Sequence, residues 1–111
     1  MSVRELQIKI GEEVSINGHL FPVLLDEVEI LEAAEQLQAE AKAIEQTPAG
    51  IRSFANKIIA FLERTLGDGA VAKIAGGKKI GVVNLLALVS LITRDIAKSY
   101  ADTLSEYAPT K

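Results

Sequence analysis

The chain opens on a period of two. Leu6, Ile8 and Ile10 alternate with Gln7 and Lys9, and Val14 and Ile16 resume the alternation beyond Gly11-Glu12, which offers a turn. Asn17-Gly18 is a strong hairpin signal, because both residue types tolerate the positive φ of a type I′ turn. Residues 19–23 can return as a further strand, and Pro22, lacking an N–H, confines that strand to an edge or an end. The pattern predicts a two- or three-stranded antiparallel meander over residues 5–23.

From Asp26 the period lengthens. Asp26 suits a helix N-cap, and Glu27 and Glu29 place negative charge at the positive end of the helix dipole. Ile30, Ala34, Leu37, Ala41 and Ile44 follow at spacings of four and three, a short heptad seam on a helix otherwise built of Glu, Gln and Lys. Thr47-Pro48 predicts a break and a new start, since proline at the first helical position gives up no hydrogen bond. Ile51, Phe54, Ala55, Ile58, Phe61, Leu62 and Leu66 then form a broad apolar stripe. Gly67 ends that helix, Asp68 can cap the next, and residues 70–75 make a short helix stopped by Gly76-Gly77. A last helix is expected over residues 82–107. Its first half, residues 82–92, is apolar on nearly every face, whereas Ile96, Tyr100, Leu104 and Tyr107 form a single stripe in the second half. An all-round apolar helix needs neighbours on all sides. Residues 82–92 are therefore either the centre of a bundle or, in part, a contact with another chain. The expected fold class is α+β, mostly α: one domain over residues 1–111, with an N-terminal hairpin or meander (1–23) and about four helices packed as a bundle (26–107).

Composition narrows the function classes. The 111 residues are 49% hydrophobic but only 5% aromatic, so the core is aliphatic. A formal charge of -3 and dispersed basic residues offer no clustered positive footprint for nucleic acid. With no cysteine, disulfides, thiolate zinc sites and cysteine nucleophiles are excluded. The first ten residues lack the apolar core of a signal peptide, and residues 82–92 are about half the ~20 apolar residues a membrane-spanning helix requires, so no membrane partner is expected.

Catalytic chemistry finds little footing. His19 is the single histidine and directly follows the predicted turn, an ordinary place for an exposed polar residue. The glycines around Lys78 fail the P-loop pattern twice: Ala72 stands where glycine is required, and Lys79 where Ser or Thr must follow. Glu12-Glu13, Asp26-Glu27-Glu29 and Glu32-Glu35 read as turns, a helix start and a wet helical face, without the alternation of a calcium loop. No cofactor or metal is expected, and no enzymatic role. The apolar surplus of residues 82–92 and the seam from Ile30 point instead to protein binding.

The run from Phe61 to Lys78, FLERTLGDGAVAKIAGGK, resembles a recurrent segment of small phage and prophage proteins. In these an amphipathic helix ends in a hydrophobic-Gly-acid-Gly turn, followed by a short helix, a Gly-Gly-Lys stop and a long helix. The close Ser105-Glu106-Tyr107-Ala108-Pro109 is similar to the Lys/Glu-Tyr-Ser-Pro end of the same proteins, which are encoded among tail genes of phages of Gram-positive bacteria. They resemble tail assembly chaperones in size and gene position. The chain departs from them in lacking a basic Asn-Arg-rich continuation after Lys111. The resemblance implies a protein of the host cytoplasm that self-associates and coats the apolar helical tape-measure protein before the tail tube polymerises. It carries over no catalytic residues.

The expected interface is Leu85, Leu88, Val89, Ile92 and Ile96, with Ile30, Leu37 and Ile44 as the second candidate. A structural virion protein, such as a tail or head-completion subunit, is the alternative.

Overall fold

The structure is a computed structural model and describes residues 3–8 and 10–108. Six elements follow in order: β1 (Glu12–Ile16), β2 (His19–Val23), α1 (Glu27–Ala41), α2 (Pro48–Leu66), α3 (Ala70–Ala75) and α4 (Val82–Tyr107). The fold is α+β and mostly α, as the two periodicities predict.

β1 and β2 form an antiparallel hairpin with Ile16 opposite His19 and Glu12 opposite Val23. Its turn is Asn17-Gly18, with φ of 51° and 81°, the doubly positive type I′ geometry that matches strand twist. The Asn17 side chain also donates to the carbonyl of Ile74 at 3.2 Å, which pins the turn to the end of α3. Ile16 and Phe21 point into the core, whereas Leu20 is exposed.

Of the two- or three-stranded alternatives the structure has the two-stranded one, and among the described residues no strand precedes β1. Residues 3–8 and 10 have no strand assignment, and Leu6, Ile8 and Ile10 are each more than four-fifths exposed, at 85%, 83% and 88%. Gly11-Glu12 makes no turn: Glu12 already belongs to β1. Strict alternation marks a segment suited to a sheet, but a sheet also needs a free edge brought alongside. Folding the segment back onto β1 through Ile10-Gly11 would force positive φ on a β-branched residue.

α1 begins as its sequence specifies. Asp26 accepts from the Glu29 N–H at 2.8 Å, and the Glu29 carboxylate accepts from the Asp26 N–H at 3.1 Å, a complete capping box. It ends at Ala41, so the expected heptad stops short and Ile44 lies in the connection to α2, half-buried against the core. Thr47 caps α2 by accepting from the Gly50 N–H at 3.0 Å, with Pro48 in the first turn. The stripe of α2 buries Phe54, Ile58, Phe61, Leu62 and Leu66, but Ile51 stays 42% exposed. Asp68 does not cap α3. Gly69 occupies the N-cap, and the Glu63 carboxylate reaches from α2 to accept from the Val71 N–H at 3.3 Å. A carboxylate from a neighbouring helix thus meets one of the orphan donors of the short helix.

α1, α2 and α4 pack against one another, while α3 and the hairpin lie against α2. One core cluster joins all six elements. Thr65, fully buried on α2, donates its hydroxyl to Phe61 O at 2.8 Å, and its own carbonyl accepts from the Leu24 N–H at 2.7 Å. That bond fixes where the chain leaves the hairpin. The last part of α4 runs clear of the body, with residues 101–108 all exposed. The radius of gyration is 17.3 Å, against about 13 Å for a compact domain of this length.

Candidate protein-binding surface

The residues expected to form the interface are mostly interior. Leu85, Val89, Ile92 and Ile96 are at most 8% exposed, and Ile30 and Leu37 are 0% and 7% exposed. All six belong to the core cluster, with Leu88 and Ile44 half-buried against it. The two candidate faces, one on α1 and one on α4, thus meet within one chain. A periodic apolar stripe reports that a helix face is covered, not which chain covers it.

The surplus around α4 does reach the surface, at other positions. Val83, Leu86 and Leu91 are 76%, 39% and 57% exposed, and beyond the body Tyr100, Leu104 and Tyr107 are 56%, 48% and 88% exposed. The all-round apolarity of residues 82–92 carried this signal: in a three-helix packing, some of those side chains must face outward.

Leu86 borders a surface groove. It runs between α1 and α4, encloses about 670 Å³, and is walled by Leu31, Ala34 and Ala41 on one side and Leu86 and Val89 on the other. Leu31 is 39% exposed, like Leu86, so the two leucines flank an open apolar floor. Glu35, Gln38, Ser90 and Thr93 give it a polar margin. Thr93 is turned back onto its own helix, donating to Val89 O at 2.9 Å, and leaves the groove apolar there. Small residues at Ala34 and Ala41 keep α1 thin along the floor, the property that lets a third helix approach two others.

Polar chemistry is sparse. Among the described residues no group of three or more His, Asp or Glu side chains is placed to hold a metal ion. His19 lies on the hairpin with its ring 6.2 Å from that of Phe21. The Lys98 ammonium is held above the usual lysine value by its hydrogen bond to Asp102 and by that carboxylate's charge, but the pair lies exposed along α4. Lys57 of α2 pairs with Glu40 of α1 at 3.3 Å, a surface clamp between the two helices. No helix among the described residues is long and apolar enough to cross a membrane. The chain matches no protein-family model, no curated protein and no solved structure, so its site rests on geometry alone.

Proposed function

We propose that the protein is a non-enzymatic binding protein that holds an apolar helical client, acting as a phage or prophage tail assembly chaperone in the host cytoplasm with the tape-measure protein as client. The α1–α4 groove carries the reading: it is apolar on its floor, polar at its rim, and bounded by two helices, the arrangement in which an amphipathic helix docks. The likeness of residues 61–78 and 105–109 to small tail-gene proteins supplies the client. A formal charge of -3 keeps a complex with an apolar client dispersed.

Leu31 and Leu86 test it, because both are partly exposed and their loss leaves the core intact. Co-purification of the chain with the tape-measure protein from the same gene cluster should yield a soluble complex. Leu31→Asp with Leu86→Asp should weaken it at least tenfold, since each substitution sets a charge against apolar surface. Binding unchanged by the double substitution refutes the groove, and no complex at all refutes the client. Finding the chain in purified particles would favour a structural virion protein instead.

A further inference from the structure

The hairpin has two outer edges, and they are not equivalent. A two-residue turn makes its flanking residues, Ile16 and His19, a hydrogen-bonded pair. The alternation then makes Val14–Phe21 and Glu12–Val23 hydrogen-bonded pairs, and leaves the backbone groups of Ser15, Glu13, Leu20 and Pro22 pointing outward. Pro22 has no N–H to offer, so the outer edge of β2 is blunted. The outer edge of β1 is whole: Glu13 and Ser15 each present an N–H and a carbonyl. It borders a groove of about 380 Å³ whose far wall is Leu91, Ile92, Asp95 and Ile96 of α4. An intact strand edge facing a wall that is apolar but for one carboxylate is a receptor for one more strand.

The chain carries a segment of the matching kind. Leu6, Ile8 and Ile10 alternate with polar residues, are exposed, and belong to no strand. Ile8 and Ile10 lie beside Val23 and Leu24, so this arm continues past the open end of the hairpin and does not fold back onto β1.

We propose that two copies of this chain exchange these arms, each adding its arm as a third strand along the outer edge of the other's β1. The register follows from the pattern. An antiparallel pairing with its two-fold axis at Gly11 sets Leu6 opposite Ile16, Ile8 opposite Val14 and Gln7 opposite Ser15. Directly opposed residues share a face, so Leu6 and Ile8 join Ile16 and Val14 over the α4 wall, and Gln7 joins Ser15 in solvent. Ser15 then falls at a hydrogen-bonded position, as its outward N–H requires. A one-residue slip would turn every arm hydrophobe to water. Residues 6–16 of both copies meet along about 35 Å at ~3.3 Å per residue. The dimer stands independently of the chaperone reading, because it involves neither the α1–α4 groove nor a client.

The test uses the whole chain by itself. Light scattering should give twice the chain mass at tens of micromolar. Replacing Leu6, Ile8 and Ile10 together by Asp should shift the chain to monomer and raise the dissociation constant at least a hundredfold, with helical circular dichroism unchanged because the arm packs in no core. The chain is cysteine-free, so Gln7→Cys with Ser15→Cys should give a covalent dimer on oxidation, whereas Gln7→Cys with Leu20→Cys, on the blunted edge, should not. A monomeric wild type, a dimer that survives the arm substitutions, or equal cross-linking by both cysteine pairs overturns the proposal. None of these results would alter tape-measure binding, which is scored separately through Leu31 and Leu86.

Discussion

Gly50 shows how a single position can reverse a propensity rule. It stands in the first turn of α2, where alanine is intrinsically better than glycine by about 1 kcal/mol. Yet a Cβ at Gly50 would collide with the backbone carbonyl oxygen of Glu45, because the connection from α1 crosses that turn closely. Gly50→Ala is therefore expected to destabilise the protein, by about 1–3 kcal/mol as for other overpacked sites, read as a lowered midpoint in urea. A raised midpoint would mean that residues 42–47 do not lie against α2. Thr65 makes the companion point. Its hydroxyl is buried without cost because Phe61 O lies within reach one turn back, so a polar residue in the α2 stripe breaks nothing.

Among the elements, the hairpin depends on a turn with two separable functions. Asn17 supplies positive φ and also donates to Ile74 O, tying the turn to α3. Asn17→Gly keeps the first and removes the second, and should cost about 0.5–1.5 kcal/mol. Asn17→Ala removes both, and should cost about 1 kcal/mol more, the penalty for left-handed backbone on an ordinary residue. Equal losses in chemical denaturation would show that the side-chain bond contributes everything and the φ nothing. The helix ends were legible at this scale. Asp26 with Glu29, and Thr47 with Pro48, fix the starts of α1 and α2 through bonds to their own nearest N–H groups, so local sequence suffices. The start of α3 was legible too, at residue 70, but its capping partner was not, because an N–H of its first turn is met by Glu63, eight residues away on another helix.

The whole molecule is longer than its core requires. Its extents are 68 × 35 × 21 Å, stretched by the arm before β1 and the overhang of α4. Residues 101–108 touch no buried residue cluster, and Lys98–Asp102, an exposed i,i+4 pair, offers that stretch only local helical support. Ending the chain at residue 100 should therefore change unfolding free energy by less than about 1 kcal/mol, and amides in the overhang should exchange far faster than those of residues 85–96. Strong protection there in the isolated chain would reveal a partner covering Tyr100 and Leu104.

The sequence by itself determined the elements: two strands about Asn17-Gly18, and four helices whose starts and stops were written in caps, glycines and prolines. These are interactions among residues a few positions apart, so local order encodes them. It also determined which side chains would be covered, since Ile30, Leu37, Leu85, Val89, Ile92 and Ile96 lie on the stripes their spacing drew. Only the tertiary structure decided what covers them. Two apolar stripes and a second copy's surface are interchangeable partners to a one-dimensional pattern, because apolar burial is non-directional. Packing α1, α2 and α4 together buried six of the eight expected interface residues within one chain, left Leu31 and Leu86 on the rim of a groove, and left the arm of Leu6, Ile8 and Ile10 outside the hairpin of its own chain.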